Sequence, residues 1–98
     1  MNMRELQKMQ QKLVRMQEEL GQTLFAGTAG GGAVTITMNG KSEISAVKID
    51  PEAFNAEDIV ELEIMILAAA KDAHSKVDDA QSRLATNVTG GMKIPGLL

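Results

Sequence analysis

The stretch Ala33-Val34-Thr35-Ile36-Thr37-Met38-Asn39-Gly40 decides the fold of this 98-residue chain. Apolar side chains alternate with Thr along it, which is the pattern of a half-buried β-strand. Its last two residues, Asn-Gly, are the strongest short hairpin signal, because a type I′ turn needs positive φ at both central positions. Residues 41–49 alternate too, but with apolar residues on both faces, which predicts a bulge or a break into two short strands. A small antiparallel sheet is therefore predicted over residues 33–50.

Before the sheet, residues 1–24 form a basic heptad segment, with a helix predicted over residues 3–24. Apolar residues recur in it at spacings of three and four, which places them within about 80° of one another on the helix surface. Such a stripe is nearer to a coiled-coil seam than to the wider apolar face of a globular helix. This N-terminal seam consists of Leu6, Met9, Leu13, Met16 and Leu20.

After the sheet, a long helix is predicted over residues 56–87. Asn55 is its expected N-cap, with Asp58 at the capping-box offset. The first half, from Ile59 to Ala70, is apolar nearly all round and is predicted to be the most buried part of the protein. The second half narrows to a seam of Ala73, Val77, Ala80 and Leu84. The two seams together offer more apolar surface than one short sheet can cover, which predicts a homodimer.

Two glycine-rich segments connect these elements to the rest of the chain. Residues 27–32 contain four of the nine glycines and are predicted to form a mobile connector that sets the opening of the helical arms. Gly90-Gly91 is expected to end the second helix. Residues 88–98 are predicted to be a docking tail, because two Leu and an Ile around Pro95-Gly96 are unusual in a disordered segment.

Composition and the apolar runs restrict the class of protein. The length fits one domain, and the absence of cysteine excludes a disulfide framework and a thiolate metal site. The N-terminus runs directly into a charged helical pattern without the apolar stretch of a signal peptide. The longest apolar run, residues 64–70, is too short to cross a bilayer. A soluble cytoplasmic protein without a membrane partner is expected.

Charge is distributed unevenly along the chain. The net charge is −3, but residues 1–48 carry six Lys/Arg against four acids and residues 49–98 carry four against nine. Within the first helix, four cations spaced by four, four and three fall within about 80° of one another beside the seam. A solvated face is the ordinary explanation of such a stripe. Like charges at i, i+4 destabilise a helix, however, and no acid interleaves with these four, which favours phosphate contacts. This basic stripe consists of Arg4, Lys8, Lys12 and Arg15; Lys76 and Arg83 could extend it, although surface charges explain them more simply.

Motifs for catalysis are not supported. Gly40-Lys41-Ser42 imitates the end of a phosphate-binding loop, but the glycine required five positions earlier is Thr35. His74 is the only histidine, and the helix dipole explains the acids Glu57 and Asp58 without a metal. We therefore expect no enzyme, no cofactor, no metal and no small-molecule substrate. Two Phe and no Tyr or Trp make a poor platform for stacking bases, so duplex DNA is a better expected partner than a single strand.

The order of these segments resembles the YbaB/EbfC family of small bacterial nucleoid-associated proteins. The resemblance covers essentially the whole chain, and its more specific parts are the hairpin with Ile49-Asp50-Pro51 and the run from Gly90-Gly91 to Pro95-Gly96. It implies an α+β protomer of order α-β-β-β-α with a small antiparallel sheet, and an intertwined, tweezer-like homodimer. It also implies binding of duplex DNA in the nucleoid, with effects on nucleoid organisation and gene expression.

Two hypotheses of different classes follow. The first is a homodimeric DNA-binding architectural protein that contacts phosphates through the basic stripe. The second is a protein-interaction adaptor whose Met- and Leu-rich seams receive partner helices, since Met suits adaptable contacts. A third, an enzyme subunit, is disfavoured because the titratable residues form no catalytic cluster.

Overall fold

The computed structural model describes residues 2–88, with side chains up to residue 86. The element order is α1 (Met3–Gln22), β1 (Leu24–Ala29), β2 (Val34–Asn39), β3 (Ile44–Ile49), a 3₁₀ turn (Pro51–Ala53) and α2 (Ile59–Val88). The predicted α+β class and the α-β-β-β-α order are confirmed. The docking tail predicted over residues 88–98 lies, from residue 89 onward, outside the described residues.

The glycine-rich segment is the main correction to the sequence analysis. Residues 27–32 are not a connector: Gly27 lies inside β1, which pairs with β2 in antiparallel register from Leu24↔Asn39 to Ala29↔Val34. The next three glycines make the β1–β2 turn, with φ of +64°, +67° and +97°, values that L side chains rarely adopt. The sheet therefore has three strands in the order β1-β2-β3 and begins at residue 24, not 33.

The turn between β2 and β3 also differs from the prediction. Type I′ geometry is absent, since Asn39 and Gly40 both lack positive φ and Ser42 has φ +64° instead. The Asn39 carbonyl accepts a hydrogen bond from the Ser42 N–H at 3.0 Å. The Asn39 side-chain oxygen accepts from the backbone N–H of Lys41 at 2.9 Å and of Glu43 at 3.1 Å. Asn39 thus shapes the loop as an Asx turn rather than by its own left-handed backbone.

The predicted irregularity in the return run is a bulge within one strand. The register between β2 and β3 shifts after Thr37, which pairs with Ala46, while Met38 pairs with Ile44. This shift brings Ile44 onto the same face as Val47 and Ile49, because directly paired residues project from the same side of a sheet. The apolar residues of β3 consequently form one row. Without the bulge, Ile44 would lie on the opposite face of the sheet from Val47 and Ile49.

The core lies between α2 and the first two strands. The β2 residues Val34, Ile36 and Met38 are buried against Ala69, Ala73 and Val77 of α2. Small residues on α2 permit a close approach: a Cβ added to Gly27 would collide with the backbone of both Ala69 and Ala73. Gly27 is therefore required where the strand and the helix touch.

The beginning of α2 corrects two further predictions. The helix starts at Ile59 instead of residue 56, and Asn55 is not its N-cap. The Asp58 carbonyl accepts the first helical bond, from the Leu62 N–H at 2.9 Å, while the Asp58 carboxylate accepts from the Asn55 N–H at 2.8 Å. The half from Ile59 to Ala70 is also not the most buried part, since the side chains of Val60 and Ile64 are 69% and 62% exposed.

Candidate nucleic-acid interface

Helix α1 is an arm that contacts the rest of the protomer only near its C-terminal end. Among the described elements it touches α2 and β2, and Gly21 is its one buried residue. Its 20 residues make it about 30 Å long at 1.5 Å per residue. The N-terminus is capped by Asn2, whose side-chain oxygen accepts from the Glu5 N–H at 2.8 Å. Most of the arm therefore lies open to solvent along its length.

The base of the arm is held by the β2–β3 turn. Gly40 lies so close to the last turn of α1 that a Cβ there would collide with the Leu20 carbonyl. The Gly40 carbonyl itself accepts a hydrogen bond from the Gln81 side chain of α2 at 2.7 Å. The turn is thus fixed between both helices. A larger residue at position 40 would displace the arm from the sheet.

The predicted basic stripe is exposed along this arm. All four side chains, Arg4, Lys8, Lys12 and Arg15, are exposed to solvent. Across residues 2–88, the ion pairs within 4.0 Å join only His74 to Asp78 and Lys76 to Asp72, so the stripe has no carboxylate partner there. From the first to the last of these residues the helix rises about 16 Å, a length over which a DNA duplex carries about ten phosphate charges. The stripe presents unneutralised positive charge to the solvent.

Lys76 has a structural contact that the sequence did not indicate. Its ammonium group donates to the Ala26 carbonyl of β1 at 2.6 Å and lies 3.5 Å from the Asp72 carboxylate. Asp72 in turn accepts from the Thr28 N–H at 3.0 Å. This backbone hydrogen bond, aided by Lys76, lowers the pKa of Asp72 below its usual value. The two side chains together satisfy two outward backbone groups of edge strand β1, the Ala26 carbonyl and the Thr28 N–H, and join the strand to α2.

Arg83 lines a shallow depression that includes no residue of the basic stripe. It is exposed near the end of α2, and the other lining residues are Asp79, Ser82 and Thr86. The carboxylate in this depression reduces the local positive potential. A role of Lys76 or Arg83 in DNA binding stays a prediction.

The described range contains no candidate metal cluster and no candidate membrane-spanning helix. Within residues 2–88, no group of three or more His, Asp and Glu side chains could hold a metal ion. The same range contains no helix that is long and apolar enough to cross a membrane. The His74 ring lies 3.3 Å from the Asp78 carboxylate, one helical turn away on the surface of α2.

Two apolar surfaces are uncovered, one on the part of α2 for which burial was predicted and one on β3. On α2, Val60, Ile64 and Leu67 lie about 120–180° around the helix from the buried Ala69 and Ala73. On the sheet, α2 covers β1 and β2 but does not contact β3, so the β3 row is left open on the same face as the core. That row consists of Ile44, Val47 and Ile49, which are 57%, 52% and 38% exposed. The all-round apolar character of residues 59–67 was the signal that more than one partner surface is present.

Comparison with known proteins agrees with this architecture. The family model described as "YbaB/EbfC DNA-binding family" matches residues 1–92. A nucleoid-associated protein of Pelotomaculum thermopropionicum is 48% identical over 95 residues, covering 97% of this chain and 90% of the relative. A nucleoid-associated protein of Dictyoglomus thermophilum is 44% identical over 93 residues, covering 95% and 89%. The crystal structure of an uncharacterized protein of Helicobacter pylori superimposes with a TM-score of 0.75 at 26% identity, covering 92% of this chain and 99% of that one.

Proposed function

Because this chain belongs to the YbaB/EbfC DNA-binding family, we propose that it binds duplex DNA as a homodimer through phosphate contacts from the basic stripe of α1. In this proposal the protein acts in the nucleoid, where it affects DNA organisation and gene expression. The relatives named as nucleoid-associated proteins support that location. Their family is one of DNA-binding proteins, and no catalytic role is proposed.

The exposed, unpaired basic stripe is the observation that carries the proposal. Cations without a carboxylate partner lose no ion pair when they meet a phosphate, and each phosphate neutralised releases condensed counterions from the DNA. Contacts with the phosphate backbone of DNA carry no sequence information, so only a modest preference for particular DNA sequences is expected. The acidic remainder of the chain keeps other surfaces away from the DNA and directs binding to the arm.

The uncovered apolar surfaces support the homodimer. A row of three apolar residues on β3 and a second on the outer side of α2 would form an exposed patch in a lone protomer, and such patches mark interaction sites. In a two-fold dimer each surface occurs twice, so α2 of one copy can cover β3 of the other reciprocally. Two arms would then present the basic stripe twice, which increases the number of phosphates that one particle neutralises.

The alternative function is a protein-interaction adaptor. It is favoured by the exposed part of the N-terminal seam, Leu6 and Met9, and by the neighbouring exposed Met3. Recovery of a defined heteromeric partner from cells after nuclease treatment would support this alternative, whereas a partner that is lost with the nucleic acid would support DNA binding.

A salt titration of binding to a random-sequence duplex tests the proposed function. We expect the plot of log affinity against log salt concentration to fall with a slope between about −4 and −7, because a dimer offers eight stripe cations and each phosphate contact contributes about −0.9. Sedimentation in the same buffer gives the state of association. Absence of binding at low salt, or a slope near zero, would contradict phosphate recognition.

Ile64→Glu and Val47→Glu are each expected to weaken self-association at least ~100-fold, because each places an unpaired carboxylate in the apolar interface of both copies. Sedimentation equilibrium measures the change. Ser82→Glu is the matched control, since it adds the same charge at an exposed position of α2 outside both apolar surfaces. Equal dimer affinity in all three variants would mean that these surfaces do not join the two copies.

A further inference from the structure

Helices α1 and α2 run antiparallel and enclose an apolar cleft near the base of the arm. Gln81 lies at the Gly40 turn, and Leu84 and Ala85 then follow α2 away from the sheet. The cleft has a volume of about 530 Å³, and Leu13 and Leu20 line it from the side of α1. Four residues beyond Leu84, α2 ends at Val88.

The arm continues past the end of α2 with its seam uncovered. Leu6 and Met9 belong to the same seam as Leu13 but are 46% and 53% exposed. About 15 Å of α1 separates Leu13 from Met3, at 1.5 Å per residue. Along this distance the described residues place nothing against the seam, although its heptad spacing is that of a helix with an apolar partner.

Residues 89–98 follow α2 at the position where the uncovered seam begins. They start with Thr89-Gly90-Gly91 and continue with Met92, Ile94, Leu97 and Leu98, so their apolar content matches the open surface. A segment of this length can extend to about 33 Å, which is twice the length to be covered. We propose that residues 92–98 dock in the same protomer, along the N-terminal seam from Leu13 toward Leu6.

Docking of this segment would cover the part of the N-terminal seam that the rest of the protomer leaves exposed. The cleft and the seam are continuous through Leu13. The centre of the basic stripe lies about 120° around the helix from the seam, so a segment docked on the seam would leave the stripe exposed. The segment would bury apolar side chains on itself and on α1 together, which stabilises the arm by about 25 cal/mol for each Å² removed from water. The orientation of α1 would then depend on the C-terminal segment as well as on the Gly40 turn.

Engineered disulfides in the full chain test this proposal, because the protein has no cysteine of its own. One variant combines Met9→Cys with Ile94→Cys, and a second combines Leu6→Cys with Leu97→Cys. The matched control combines Gln11→Cys with Ile94→Cys, since Gln11 is exposed about 160° around α1 from Met9. We expect the two seam variants to form an intramolecular disulfide at least ~10-fold faster than the control, since docking raises the effective concentration of the two thiols.

On a non-reducing gel, the oxidised species show whether the C-terminal segment or a second copy of the chain covers the seam. A fast-migrating oxidised monomer is the expected product. A disulfide-linked dimer as the main product of the seam variants would overturn the proposal, because the seam would then be covered by a second copy. Equal oxidation rates in seam and control variants would overturn it as well. Unchanged circular dichroism of the reduced variants establishes that the substitutions leave the fold intact.

Discussion

The triple variant Lys8→Glu, Lys12→Glu, Arg15→Glu is expected to lose at least ~100-fold in affinity for duplex DNA while remaining folded. In a dimer it converts six of the eight stripe cations into anions that face the phosphates, so lost counterion release and direct repulsion act together. All three residues are exposed and have no ion pair within residues 2–88, so the fold loses no contact with them. Fluorescence anisotropy at low salt measures the affinity.

A matched pair of smaller changes separates local contact from net charge. Two double variants lower the formal charge of α1 by the same amount. One combines Lys8→Gln with Lys12→Gln, and the other combines Gln7→Glu with Gln10→Glu. Gln7 and Gln10 lie about 100° and 160° around the helix from the centre of the stripe, although they border one depression with Arg15. Only the first pair should reduce the salt slope, by about 4 in a dimer, because each lost phosphate contact removes about 1. Equal effects of both pairs would show that total charge rather than the stripe determines binding.

Gly27→Ala is expected to destabilise the fold by about 3 kcal/mol. The added Cβ collides with the backbone of Ala69 and Ala73, and neither is the movable end of a flexible side chain, so strand β1 must move away from α2. That movement would also strain the hydrogen bonds from Thr28 to Asp72 and from Lys76 to Ala26. Chemical denaturation of the full chain measures the free energy of unfolding.

Gly31→Ala is the control for this prediction. It places a Cβ where no atom lies within 4 Å, at φ +67°, so its cost is the left-handed backbone alone, about 1–2 kcal/mol. A mobile connector would respond differently: alanine at position 27 would leave stability unchanged or raise it slightly by restricting the unfolded chain. A neutral or stabilising Gly27→Ala would therefore contradict the close packing of β1 on α2.

The sequence predicted the elements whose residue types repeat with a clear period. The three–four spacing gave α1 to within two residues at its end, and the Val-Thr-Ile-Thr-Met alternation gave β2 to within one. Strand β1 was missed because Gly27 and the small residues Ala26, Thr28 and Ala29 obscure its alternation and resemble a linker. The family resemblance implied three strands but did not locate the one that lies over residues 24–29.

The candidate interface was likewise predictable from the sequence only in part. The basic stripe depends on spacing along one helix, and a helix that remains exposed keeps that stripe intact. Arg4, Lys8, Lys12 and Arg15 were therefore identifiable as a group, although their role on DNA stays a prediction. Lys76 has the same charge and residue type as Lys8, but its contact is with a carbonyl 50 positions earlier in the chain. Spacing along α2 contains no information on that contact.

The amino-acid sequence by itself determined helix and strand periodicity, the charge of each helix face and the excess of apolar surface, because these properties depend on residues a few positions apart. Only the tertiary structure decided which glycine is a turn and which is a contact, since that depends on how closely β1 approaches α2. It also decided that α2 covers two strands and leaves the third open. One helix can cover only about 10 Å of sheet width, roughly two strands at about 4.8 Å spacing, and this geometric limit leaves β3 for another surface to cover.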